Sequence, residues 1–178
     1  RRNGELDFEV HIQISKEFGM RINIKKTKVM VISKGKTQKV AVYLHNEKLE
    51  QVTEFCYLGS MITADARCQK EIKRRIAMAK EAFNKRGELL RGSLSVEMKK
   101  RMVKALIWSV ALYGSETWTM TAEEVRRLEA FEMWIWRRMC KISWMDHITN
   151  EEVLRRVGEK RSLMQTIRMR QKNWIGHV

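Results

Sequence analysis

The chain has 178 residues, 44% of them hydrophobic, with 36 Lys and Arg against 21 Asp and Glu for a net charge of +15. That length supports one core, or a core with a small second piece, and 44% hydrophobic residues with a mean hydropathy of −0.45 reads as globular rather than disordered. The cationic surplus, with a pI near 10.0, marks a binder of polyanions, nucleic acid first and an anionic membrane surface second.

Three cysteines at wide spacing, Cys56, Cys68 and Cys140, argue against a disulfide framework and for a reducing, intracellular setting, nuclear or cytoplasmic. Cys140 and His147 make at most a lone pair, too few ligands for zinc. The longest apolar run, Ala105 to Tyr113, is about half of the ~20 residues a membrane span needs. The polar start Arg1-Arg-Asn-Gly-Glu5 does not read as a secretory leader. Proline is absent, so long helices are permitted.

Residues 1 to 18 alternate like a strand from Phe8 to Ser15, yet Phe8, Ile12, Ser15 and Phe18 also share a helical face. A helix stopped by Gly19 is the expectation. Next, Lys28-Val-Met-Val-Ile-Ser33 is strand-like, residues 33–37 form a loop, and Val40–Leu44 with Leu49–Val52 flank a hairpin turn at His45-Asn46-Glu47. In Thr53-Glu-Phe-Cys-Tyr-Leu-Gly-Ser-Met-Ile-Thr63, alternation is interrupted by Gly59, the mark of a bulge or of a close backbone approach.

From Asp65 the period becomes 3.6. Ile72, Ile76, Ala79, Phe83 and Leu90 share one helical face, with Lys70, Lys73, Arg74, Lys80 and Lys85 on the others. A helix from Val96 to Tyr113 turns apolar all round at 105–112 and stops at Gly114. Thr121 with Glu124 is a capping box opening a helix to Ile142, with Leu128, Phe131, Ile135, Met139 and Ile142 facing the core. A second box, Thr149 with Glu152, opens a helix that ends at Gly158, and a last helix sets Leu163, Met164, Ile167, Trp174 and Ile175 on one side.

Residues for catalysis are thin. No phosphate loop, zinc-protease motif or nucleophile elbow occurs, and His11, His45, His147 and His177 stand alone. Residues for binding are plentiful. Lys25, Lys26 and Lys28, followed by Lys34, Lys36 and Lys39, surround the first β segment. Trp134 projects beside Arg127, Arg138 and Lys141, a pattern suited to stacking on a base while cations hold phosphates. The competing reading packs Trp134 on a neighbouring helix and leaves the arginines as ordinary surface.

Four segments in order carry a resemblance: Glu17-Phe-Gly-Met-Arg-Ile-Asn-Ile-Lys-Lys-Thr-Lys-Val-Met-Val-Ile32, Phe55-Cys-Tyr-Leu-Gly-Ser60, Ala111-Leu-Tyr-Gly-Ser-Glu-Thr-Trp118 and Arg170-Gln-Lys-Asn-Trp-Ile-Gly-His-Val178. Together they resemble the C-terminal part of the reverse transcriptase of non-LTR (LINE-type) retrotransposons. The resemblance implies an α+β fold. Residues 1–62 would be the small antiparallel end of the palm with its primer-grip hairpin, and 63–178 a helical thumb and its extension. It further implies that Lys25 or Lys26 lies near the incoming nucleotide's phosphates. Tyr57, Leu58 and Gly59 would sit against the primer 3′ end, with the basic first thumb helix tracking the backbone of an RNA–DNA hybrid.

Members of that family carry an aromatic-x-Asp-Asp motif just before the first of these segments, and a further Asp, to hold two Mg²⁺ ions. Here Asp7 stands alone. The expectation is therefore a fragment that binds primer–template nucleic acid without polymerising it, needs no cofactor of its own, and has the missing polymerase portion as a second partner. Rival expectations are a basic helical module that binds a protein through Trp134, and a translated relic without function.

Overall fold

The computed structural model describes residues 14, 17–33, 39–44 and 46–176. The fold is α+β, about 55% helical among the described residues, with two-stranded sheets. The chain divides into two compact units, one of residues 1–55 and 63–66, the other of 56–62 and 67–178. The expected helix over 1–18 lies largely outside the described residues. Only Ile14 and Glu17 are seen helical there, and Gly19 follows at φ 68° as a stop. His11, Lys34, Lys36, His45 and His177 also fall outside.

In the first unit, β1 (Lys28–Val29) pairs in parallel with β4 (Glu50–Gln51), and β2 (Tyr43–Leu44) pairs antiparallel with β3 (Glu47–Lys48). Two expectations change here. The strand over 28–33 shrinks to two residues, and the hairpin keeps Leu44 as the end of its first flank but starts its second at Glu47, two residues before the predicted one, pairing Tyr43 with Lys48 and Leu44 with Glu47. Residues 50–51 then leave the hairpin for β1, so one ladder is parallel rather than antiparallel. Leu44 and Leu49 fix this register because both are buried, and a one-residue slip would turn them outward. Asn23 organises the turn before β1: its side chain accepts from Lys26 N (3.1 Å) and its carbonyl from Thr27 N (2.9 Å).

The second unit starts with the tip shared by β5 (Glu54–Tyr57) and β6 (Ser60–Thr63), which pair as a hairpin. Its helices are α1 (Gln69–Lys85), α2 (Gly87–Arg91), α3 (Val96–Met102), α4 (Trp108–Ala111), α5 (Ala122–Met139), α6 (Asn150–Val157) and α7 (Leu163–Ile175). A π-helical turn, Val103–Ile107, joins α3 to α4. The predicted helix over 69–90 is thus broken at Arg86, with Leu90 reaching the core from α2. The segment over 105–112 is not buried all round: Ile107, Trp108, Ala111 and Leu112 face inward while Ala105 and Ser109 are exposed.

Helix α5 stops at Met139 rather than Ile142, because Lys141 turns the chain off at φ 57°. Its Thr121–Glu124 capping box forms as the spacing predicts, as does the αL residue Gly158 that ends α6. Ile72, Ala79, Phe83, Ile107, Leu112, Leu128, Ile135, Trp136, Val153, Leu163 and Ile167 form one core, each essentially without exposure. Trp174 and Ile175, expected on the core side of α7, are exposed. The last turn of α7 has no neighbour among the described residues to cover them.

Glu132 is buried in this core, 1% exposed. One of its carboxylate oxygens accepts from Ser162 N (2.9 Å) and Leu163 N (3.1 Å), so a side chain of α5 caps the N-terminus of α7. Its other oxygen makes no well-formed hydrogen bond, although the Trp136 indole N–H draws the carboxyl down. Burial raises the Glu132 carboxyl above its ordinary value, against the pull of those two N–H groups.

Candidate nucleic-acid interface

Leu58 and Gly59 form the two-residue turn between β5 and β6, at φ 47° and 80°. Positive φ at both positions is the type I′ geometry that matches hairpin twist. Gly59 thus closes a tight turn and is not a bulge. Leucine in the left-handed region is strained by about 1 kcal/mol.

The turn is held from α1 and from Tyr113, just after α4. Both Arg74 and Arg75 donate to the Gly59 carbonyl, Arg74 at 2.9 Å. The Tyr113 hydroxyl donates to the Leu58 carbonyl at 2.9 Å. Met61 N donates to Glu71 at 2.8 Å, and Glu71 in turn holds Arg75 (2.5 Å) and Arg74 (3.1 Å). The Arg75 guanidinium lies 4.4 Å from the Tyr113 ring centroid. Glu71 and Arg75 are both buried. With the backbone so fixed, the side chains of Tyr57 and Leu58 point away, 57% and 74% exposed.

Gly114 follows Tyr113 at φ 71°, and a Cβ there would lie 3.1 Å from Ser60 Oγ. Both the conformation and the close approach call for glycine. From the far end of the chain, Arg170 donates to the Leu112 carbonyl (2.8 Å) and Gln171 to those of Ser115 (3.3 Å) and Trp118 (2.8 Å). Leu58, the stretch 112–118 and the pair Arg170 and Gln171 therefore meet through hydrogen bonds, although sequence separates them widely.

A groove of about 500 Å³ runs between α1 and α5, lined by Lys73, Lys80, Arg127 and Trp134 among others. Lys80 and Arg138 lie 5.1 and 5.5 Å from the Trp134 ring centroid. That ring also packs edge-on against Phe83 (5.3 Å) and in parallel with Phe131 (6.4 Å). Trp134 is therefore largely a packing residue with an exposed margin, nearer to the competing reading than to a free stacking platform. Arg127 is paired with Glu123 at 2.9 Å.

Among the other predicted binding residues, Lys25 and Lys26 are exposed on the Asn23 turn and Lys28 is ion-paired with Glu50; all three belong to the first unit. Lys70 is exposed on the first turn of α1. Arg74 faces the hairpin rather than solvent alone. Sequence reasoning missed Glu71, Arg75 and Tyr113, whose roles exist only once the hairpin folds back on α1. Among the described residues no cluster of His, Cys, Asp and Glu could hold a metal ion, and no helix is long and apolar enough to cross a membrane. Burial pushes the Cys140 thiol up, the character of a packing cysteine.

The chain is 26% identical over 172 residues to an uncharacterized transposon-derived protein of Caenorhabditis elegans, an alignment that takes in 94% of the chain. The likeness supports an origin in a transposable element. The chain spans 62% of that protein's length. No family model matches, and no solved structure matches.

Proposed function

We propose that this chain is the primer-contacting hairpin and thumb of a reverse transcriptase of a non-LTR element, and that it binds primer–template nucleic acid. The observation that carries the reading is the β5–β6 turn. A strained, exposed Tyr57-Leu58 tip is immobilised by Arg74, Arg75 and Tyr113 on a strongly basic helical unit. An apolar turn with no fold-building role beyond its backbone, set beside cations, suits close contact with the last nucleotides of a primer. Lys73, Lys80 and Arg127 supply charge for phosphates, positioning a strand without reading its sequence.

The task proposed for these residues is binding. Polymer synthesis needs paired carboxylates to hold divalent ions, and none of the four segments contains an aspartate. The test is affinity for an RNA–DNA primer–template with a recessed 3′ end, against blunt duplex and single strand, across a salt series. Preference for the recessed end, reduced by Tyr57→Ala, is the expected result. Equal affinity for all three would leave a basic surface without primer recognition, and no binding at moderate salt would end the nucleic-acid reading.

A further inference from the structure

Beyond α5 the chain makes a loop that primer contact does not use. Ser143 opens a single 3₁₀ turn, Trp144–Asp146, by a capping box: its hydroxyl accepts from Met145 N (3.3 Å), and Asp146 accepts from Ser143 N (2.7 Å). Arg137 ties the loop down from α5, donating to the Ile148 carbonyl (2.5 Å) and to the Asn150 side chain (3.1 Å). His147 leaves the turn in the left-handed region at φ 49°. On this fixed frame Trp144 and Met145 are 87% and 81% exposed. Nothing in the fold gains from leaving an indole in water, where burying it would contribute a few kcal/mol.

Trp144 forms one wall of a groove of about 520 Å³ whose charged lining is Arg91, Arg137, Arg138 and Lys141, with no carboxylate. Arg91 and Arg137 are partly engaged with backbone carbonyls. Arg138 and Lys141 are exposed at the rim. The volume falls in the ~300–1,000 Å³ range of clefts that enclose small ligands. Its chemistry is that of a strand with anionic linkages and flat bases: guanidinium and ammonium groups for phosphates, an indole for a base face. A duplex hides its base faces except at the ends, so the occupant must be unpaired.

We infer that the Trp144 groove is a second nucleic-acid site that takes a single-stranded segment, one base stacking on Trp144 and the flanking phosphates held by Arg138 and Lys141. The assignment rests on the chain's being a nucleic-acid binder, but not on the primer hairpin. The loop is fixed before binding, so little ordering is needed when a strand arrives.

The test uses the full chain and a fluorescein-labelled mixed-sequence RNA single strand, compared with a blunt RNA–DNA duplex, by anisotropy. Trp144→Ala is expected to weaken the single strand about 5- to 100-fold and to leave the duplex unchanged. Trp144→Phe should restore much of the loss, and Lys141→Gln should lower the salt slope for the strand by about 0.7. Trp144 is exposed, so these variants fold. An unchanged affinity in Trp144→Ala, or an equal loss on strand and duplex, overturns the assignment. If Tyr57→Ala weakens primer–template while Trp144→Ala changes nothing, the groove fails and the primer reading stands. If the single strand loses affinity in Trp144→Ala but Tyr57→Ala is silent, the reverse holds.

Discussion

Leu58 carries a positive φ in a turn where Asn-Gly is the preferred pair. Leu58→Asn should therefore stabilise the protein by about 1 kcal/mol in urea unfolding, while reducing affinity for a recessed 3′ end if the apolar tip meets the primer. The two readouts moving in opposite directions would separate a binding residue from a structural one. Arg75 behaves differently. Arg75→Ala takes from the buried Glu71 carboxylate the partner of one oxygen, leaving Arg74 and the Met61 N–H on the other, and should cost about 3 kcal/mol, seen as a lower urea midpoint. Locally Arg75 shows only its i,i+4 spacing from Glu71, and Arg74 shares that carboxylate at i,i+3; what singles Arg75 out comes from 16 residues upstream, at Gly59, and from Tyr113 across the bundle.

At the scale of elements, signals that act within a few residues were readable. Thr121 with Glu124, Thr149 and Gly158 bound their helices where spacing puts them. The register of the hairpin at 43–48, the π turn at 103–107 and the exposure of Trp174 depend on what packs alongside, which periodicity does not contain. Trp144 had a local signal, Ser143 three residues before Asp146, in a stretch that follows a helix end. Glu132 shows how far an element can depend on a distant one, since α7 is capped from α5.

Glu132→Ala should cost about 1–3 kcal/mol by leaving two N–H groups without an acceptor; Glu132→Gln, which keeps one, should cost less. The pH dependence has a definite sign. Burial raises the folded-state value of Glu132, so folding takes up a proton, and stability falls as pH rises from the ordinary carboxylate value through the raised one. Wild type should therefore gain on Glu132→Gln as pH is lowered through that window, read from paired urea midpoints. Glu152 has the opposite sign. Its hydrogen bonds to Arg155 and Arg156 hold it at about 2, so its contribution is present above the ordinary carboxylate value and fades as pH falls toward 2. Being exposed, that contribution is small.

The second unit is a helical body with the hairpin turn fixed to it, and the chain's net charge of +15 would make any nucleic-acid binding steeply salt-dependent. Three phosphate contacts, from Lys73, Lys80 and Arg127, would weaken duplex binding about 40-fold between 50 and 200 mM salt. A nearly flat salt series would instead point to an apolar protein interface. The fold class was legible in the sequence because hydrophobic period changes sharply after Asp65. The division of the chain was less so: residues 56–62 group with the helices, since Arg74, Arg75 and Tyr113 grip the turn.

That grouping gives the chain an unusual path. It leaves the first unit after Phe55, re-enters it at Thr63 and leaves again after Ala66. No single cut in the polypeptide separates the units intact, so neither can be transplanted as a cassette. A cut after Ala66 would strip the turn from its arginines, and a cut after Phe55 would take residues 63–66 from the first unit.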